Sequence, residues 1–116
     1  MGEAVYRNYD AEALYAQYNN RAMIAPEELE AIKADQVLRS DAFRAAASRA
    51  ELDIAYGPHA RERLDLFLPE AKNAPLFAFI HGGYWQWNDK EPFVFLCEQL
   101  VAGGAAFANI EYALCP

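Results

Sequence analysis

The sequence predicts an α/β protein in which helices precede a sheet, and three observations lead there. The apolar run Leu76 to Ile80 is followed by a glycine loop, a helical pattern and a second small apolar run, Ala105 to Ile110. That order reads as a right-handed strand, helix, strand unit with parallel strands. Upstream, two alternating runs lie close together in sequence and read as an antiparallel pair, and the first fifty or so residues carry only helical patterns.

Residues 3–18 are rich in alanine, with Leu14, Tyr15 and Tyr18 spaced for one helix face, and Asn19-Asn20 can end the helix. Its tyrosines are expected to pack. A long helix over about residues 26–49 follows, with Pro26 in its first turn, Glu27, Glu28 and Glu30 at the positive end of its dipole, and Arg44 and Arg49 at the other end. Leu29, Ile32, Gln36, Phe43 and Ala47 form most of its apolar stripe, flanked by Val37 and Ala46. Each larger apolar side chain buried there would contribute roughly 1.5–3 kcal/mol.

Leu52, Ile54 and Tyr56 alternate with polar or small residues up to the Gly57-Pro58 turn, where His59 is a turn residue. Leu64, Leu66 and Leu68 alternate until Pro69 stops the second run. Leu76 to Ile80 has no polar alternation and reads as a strand buried on both faces. Asp89 can cap the next helix, Pro92 suits its first turn, and Phe93, Leu96, Cys97, Leu100 and Val101 recur at helical spacing before Gly103-Gly104.

The loop His81-Gly82-Gly83-Tyr84-Trp85 carries the chemistry. Two glycines after a strand permit positive φ and close backbone approach, so successive N–H groups can point at one place. This string at the end of an apolar strand resembles the His-Gly-Gly-x-Trp loop of arylformamidase (kynurenine formamidase-like) α/β-hydrolases, and is similar to the oxyanion loop of lipases and esterases. Tyr18-Asn19-Asn20-Arg21, Leu64-Asp65-Leu66-Phe67-Leu68-Pro69 and the closing Tyr112-x-Leu114-x-Pro116 match motifs of that family in the same order.

The resemblance implies the N-terminal half of an α/β-hydrolase fold as a single partial domain over residues 1–116. Residues 1–50 would form a helical N-terminal segment, and residues 51–116 the first four strands and first crossover helix, in spatial order first, second, fourth, third. The third strand would then lie at an open apolar edge. The family's activity implies hydrolysis of an amide or ester, such as an N-formyl aryl amine. Backbone N–H groups of Gly82, Gly83 and Tyr84 would form the oxyanion site, Tyr84 and Trp85 would bind substrate, and His81 would support the loop by hydrogen bonds. No cofactor and no metal is implied.

The family's triad follows in the order Ser, Asp or Glu, His, with the serine in a Gly-x-Ser-x-Gly elbow. This sequence holds no such elbow. Its only serines, Ser40 and Ser48, fall in the long predicted helix. The nucleophile is therefore absent, and the chain is expected to be catalytically incomplete alone, with a second chain as a possible source of the C-terminal half. A separate expectation is a non-catalytic remnant or interaction module that pairs through the exposed third strand.

Composition narrows the field. With 116 residues, 54% of them hydrophobic and 14% aromatic, the chain can bury a core. A net charge of −7 and a pI near 4.7 argue against nucleic acid or an anionic membrane as partner, since ten scattered Lys and Arg make no basic face. The N-terminus lacks the pattern of a signal peptide, and no apolar run approaches the roughly eighteen residues of a membrane span. A cytoplasmic location is expected. A zinc site from His59, His81, Cys97 and Cys115 has no supporting spacing, neither cysteine has a recognisable partner for nucleophilic work, and Asp65 and Glu111 read as isolated carboxylates. Cys97 is expected on the apolar face of its helix, reduced and structural.

Overall fold

A computed structural model describes residues 2–116. Two compact units are present, divided between Lys33 and Ala34 within the long helix.

In the first unit, helix α1 covers Ala11–Tyr18 and is followed by a 3-10 turn at Asn20–Met23. The helix starts later than its composition suggests because Asp10 caps it: the carboxylate accepts from the N–H of Ala13 at 2.9 Å and from that of Gly2 at 2.9 Å. Tyr15 and Tyr18 do not pack as expected; both are exposed. Helix α2, Pro26–Ala46, carries its N-terminal acidic residues as predicted.

In the second unit, α2 ends at Ala46, three residues early. The backbone of Arg49 is already held by the sheet, its carbonyl accepting from Leu68 N–H at 2.9 Å while its guanidinium donates to the carbonyl of Pro69 at 2.6 Å. The predicted stripe is only partly buried: Phe43 and Ala47 join the core, but Ile32 and Val37 are exposed. The one fully buried residue of α2 is Ser40, which the hydrophobic pattern overlooked.

The sheet holds β1 (Ala50–Ala55), β2 (Arg63–Phe67), β3 (Leu76–Ile80) and β4 (Ala106–Ile110) in the order β1-β2-β4-β3. β1 with β2 and β2 with β4 are antiparallel, and β3 with β4 is parallel. This is the mixed α/β architecture and strand order expected from the motifs. Phe67 and Phe107 lie opposite each other in register and pack under Phe43, Val94 and Cys97, so the helices cover that sheet face.

One element differs in kind. The stretch Glu91–Leu96 is a 3-10 helix, and only Cys97–Ala102 (α3) is α-helical. In a continuous α-helix the N–H of Phe95 would donate to the carbonyl of Glu91. Here both groups are taken by α2: Ser40 Oγ accepts from Phe95 N–H at 3.1 Å, and Arg44 Nη2 donates to the Glu91 carbonyl at 3.0 Å. Pro92, which has no N–H, adds to the tightening.

β3 also departs from expectation. It is exposed at all positions except Phe79, with Leu76 62% and Ile80 54% exposed, where burial on both faces was predicted. It has a strand neighbour on one side only, so it forms the apolar edge. Among the described residues, no helix is long and apolar enough to cross a membrane.

A buried ion cluster joins the sheet to the crossover. Lys90 is almost fully buried, and its Nζ lies 3.0 Å from Asp65, 2.9 Å from Asp53 and 2.6 Å from Glu91. Asp53 adopts a positive φ of 55° where the β1 register shifts, and its N–H donates to Asp65 Oδ1 at 2.9 Å. Burial works against the charge on Lys90, but the three carboxylates outweigh it and hold the ammonium above its ordinary range. Lys90→Ala leaves Asp65 buried without a cation and is expected to cost about 3–5 kcal/mol, measured by urea unfolding.

Candidate functional site

The loop after β3 turns back on itself through an unusual run of backbone conformations. Gly83 has φ +133°, and Tyr84, Trp85 and Asn88 have φ of 56°, 62° and 74°. Gly83 has to be glycine: a Cβ there would fall on the carbonyl oxygen of Trp87. Gly82 faces open space, so its lack of a side chain leaves the backbone open to approach. The carbonyl of Gly83 accepts from Gln86 at 2.9 Å and Trp87 at 3.2 Å, which closes the turn. The three non-glycine residues in the left-handed region cost of order 1–3 kcal/mol each, and so need the surroundings to hold them.

Glu111, directly after β4, is the principal holder. Strand alternation places Phe107, Asn109 and Glu111 on the helix-covered face, so its carboxylate is carried inward and is nearly buried. Its Oε1 accepts from Arg61 Nη2 at 2.8 Å and from the N–H of Tyr112 at 3.1 Å, and lies 2.6 Å from His81 Nε2. Its Oε2 accepts from the N–H of Lys90 at 2.9 Å. Its main-chain carbonyl accepts from the hydroxyl of Tyr56. Glu111 is thus no isolated carboxylate, as the sequence suggested, and neither is Asp65.

His81 is buried, with its ring stacked on Tyr112 at 4.3 Å and on Phe93 at 5.9 Å. Its Nδ1 lies 2.9 Å from the carbonyl oxygen of Gly82, which also accepts from Asn88 Nδ2 at 2.9 Å. Its own carbonyl accepts from the hydroxyl of Tyr112 at 2.8 Å. Arg61, from the loop between β1 and β2, donates through Nη2 to the carbonyl of Asn88 at 2.7 Å and through Nε to that of Tyr112 at 3.0 Å. Trp85 packs edge-on against Tyr112 at 5.0 Å, and its carbonyl accepts from Cys115 N–H at 2.6 Å. Tyr84 projects into solvent, 84% exposed.

Among the described residues, the N–H groups of Gly82, Gly83 and Tyr84 donate to no protein acceptor, while the carbonyls around them are engaged. The predicted loop residues therefore come together at one end of the sheet. The other candidates do not join them. His59 sits in its turn, its Nδ1 accepting from Arg61 N–H at 3.0 Å. Ser40 is buried under Phe95. Cys97 is fully buried with Sγ 2.7 Å from the carbonyl of Val94, and burial pushes its thiol up to about 12, a structural setting. Among the described residues, no group of three or more His, Cys, Asp or Glu side chains is placed to hold a metal ion.

Arg61, Glu111 and Asn88 were missed by sequence reasoning. For Glu111 one signal existed: a carboxylate two positions beyond Asn109 on an inward face needs a partner. Arg61 offered none, since its three acceptors lie far along the chain.

Burial raises the Glu111 carboxyl, but hydrogen bonds from His81, Lys90 N–H and Tyr112 N–H, together with the Arg61 charge, outweigh it and hold the group below its ordinary value of 4.5. A lowered carboxylate stabilises the fold above the unfolded value, and that stabilisation is lost as pH falls through the folded one. Burial holds the Tyr56 and Tyr112 hydroxyls, which also lie beside Glu111, above their ordinary range. Thermal unfolding of the wild type is therefore expected to fall more steeply between about pH 5 and pH 3 than that of Glu111→Gln, which starts lower at neutral pH.

No protein-family model matches the chain. The kynurenine formamidase of Danio rerio is 34% identical over 95 residues, covering 73% of this chain and 32% of that protein. That of Salmo salar is 32% identical over 95 residues with the same coverage, and that of Drosophila melanogaster 40% identical over 65 residues, covering 54% of this chain and 21% of that protein. Among solved structures, a Silicibacter protein described as a thioesterase superposes with a TM-score of 0.68 at 38% identity, over 72% of this chain and 32% of that one. Esterase B from Lactobacillus rhamnosis gives 0.51 at 24% identity over 93% of this chain and 35% of that one, a likeness of fold alone. The chain spans about a third of the length of the relatives it matches. In sequence and in superposition, the chain is an arylformamidase- and esterase-like α/β-hydrolase segment.

Proposed function

We propose that the Gly82–Tyr84 loop is the oxyanion site of a hydrolase that cleaves an amide or ester, with an N-formyl aryl amide as the model substrate. The observation that carries this reading is the set of unbonded N–H groups of Gly82, Gly83 and Tyr84 beside the engaged carbonyls of His81, Gly82 and Gly83. When a nucleophile attacks a carbonyl, negative charge gathers on its oxygen, and preorganised N–H donors stabilise that charge more than they stabilise the neutral substrate. Tyr84 and Trp85 stand beside the donors, where aromatic faces can receive an aryl group.

The nucleophile and its base must come from elsewhere. Neither Ser40 nor Ser48 lies in a Gly-x-Ser-x-Gly elbow, and removing the nucleophile of a serine enzyme costs about a million-fold in kcat. The chain alone is accordingly inactive, and the catalytic half is supplied by further polypeptide. A second reading, favoured by the exposed outer edge of β3, is that the chain pairs through Leu76–Ile80 with another protein and takes part in no hydrolysis.

A chimera tests the first reading against the second. The 116 residues replace their counterpart in the Danio rerio kynurenine formamidase, and turnover of an N-formyl aryl amide is measured. Turnover is expected, with Gly83→Ala lowering kcat by about 10²–10³-fold, the size of losing one oxyanion donor, because a Cβ that meets the Trp87 carbonyl displaces the turn and turns its N–H groups away. A folded chimera without turnover, or one indifferent to Gly83→Ala, would overturn the oxyanion reading and leave the pairing one.

A further inference from the structure

We infer that Glu111 and Arg61 are positioning residues that aim the N–H groups of the Gly82–Tyr84 loop, an inference that rests on the oxyanion reading above. The argument runs through peptide planes. A trans peptide is flat, with its C=O and the following N–H pointing opposite ways, so fixing the oxygen fixes the N–H. The oxygen of His81 is fixed by the Tyr112 hydroxyl at 2.8 Å, which directs the N–H of Gly82. The oxygen of Gly82 is fixed by the His81 ring and by Asn88 Nδ2, each at 2.9 Å, which directs the N–H of Gly83.

These clamps are held in turn by Glu111 and Arg61. The His81 ring keeps its orientation because Glu111 Oε1 lies 2.6 Å from Nε2 and Tyr112 stacks on it at 4.3 Å. Arg61 presents a rigid planar fork to three acceptors on two separate segments: the carbonyl of Asn88 beyond the glycine turn, and the carboxylate of Glu111 and carbonyl of Tyr112 after β4. It therefore ties the far end of the loop to the strand whose glutamate holds the near end. A loop with three non-glycine residues at positive φ relaxes when such ties are cut.

Backbone order parameters on the 116-residue chain test this directly. In the wild type, Gly82, Gly83 and Tyr84 are expected near 0.85, and in Arg61→Gln and Glu111→Gln below about 0.6, with Phe107 and Ala108 of β4 staying near 0.85. Arg61→Lys keeps the charge but cannot reach all three acceptors, so it is expected to leave the loop looser than in the wild type. Both tryptophans, Trp85 and Trp87, lie in this loop, and intrinsic fluorescence follows the same change. Unchanged loop order in both glutamine variants would overturn the inference, as would equal loss of order in β4, which marks a general structural role. Full order in Arg61→Lys would overturn the role given to the fork. The oxyanion reading fails separately, in a chimera indifferent to Gly83→Ala, whatever the loop order shows.

Discussion

The contact between Glu111 and His81 is the interaction on which the rest of the site depends. It is buried and short, and it joins the two residues that directly follow the paired parallel strands. An uncompensated carboxylate at that depth would be costly, and here four donors share it. Those donors come from the loop between β1 and β2, the glycine loop, the entry to the crossover and the chain after β4. One carboxylate thereby fixes the relative positions of every segment at that end of the sheet.

The parallel pairing of β3 with β4 makes this possible. Both strands deliver their ends to the same side, so His81 and Glu111 emerge as neighbours although thirty residues separate them. Lys90 does the same one layer further in, drawing Asp65 and Asp53 together beside the 3-10 stretch. The two clusters are linked, because the N–H of Lys90 donates to Glu111 and the carbonyl of Lys90 accepts from Asn109 Nδ2 at 2.7 Å. The glycine loop is thus backed by polar side chains that are nearly all satisfied, a rigid support for a strained turn.

How much of this was legible in the sequence depends on range. β3 was readable to the residue, since Pro75 and His81 bracket an unbroken apolar run. The antiparallel pair, the parallel pair and the strand order followed from alternation and from the family motifs. The 3-10 stretch was not readable, because Ser40 and Arg44 alter it from a helix fifty residues away. In the site, glycine spacing announced the loop, while its supports stayed hidden: Arg61 and Glu111 are ordinary charged residues until the fold sets them side by side. The exposure of Leu76 and Ile80 was also beyond periodicity, which records that a strand is apolar and not how many neighbours it has.

The central claim is that the loop holds the carbonyls of His81, Gly82 and Gly83 and leaves the N–H groups of Gly82, Gly83 and Tyr84 free. Amide hydrogen exchange of the wild-type chain tests it most directly. Gly82, Gly83 and Tyr84 are expected to exchange at nearly unprotected rates, while the ladder amides of β4, bonded on both sides, exchange only through larger opening of the sheet. Protected amides at Gly82 and Gly83 would mean that those groups are already bonded within the protein, and would contradict the account.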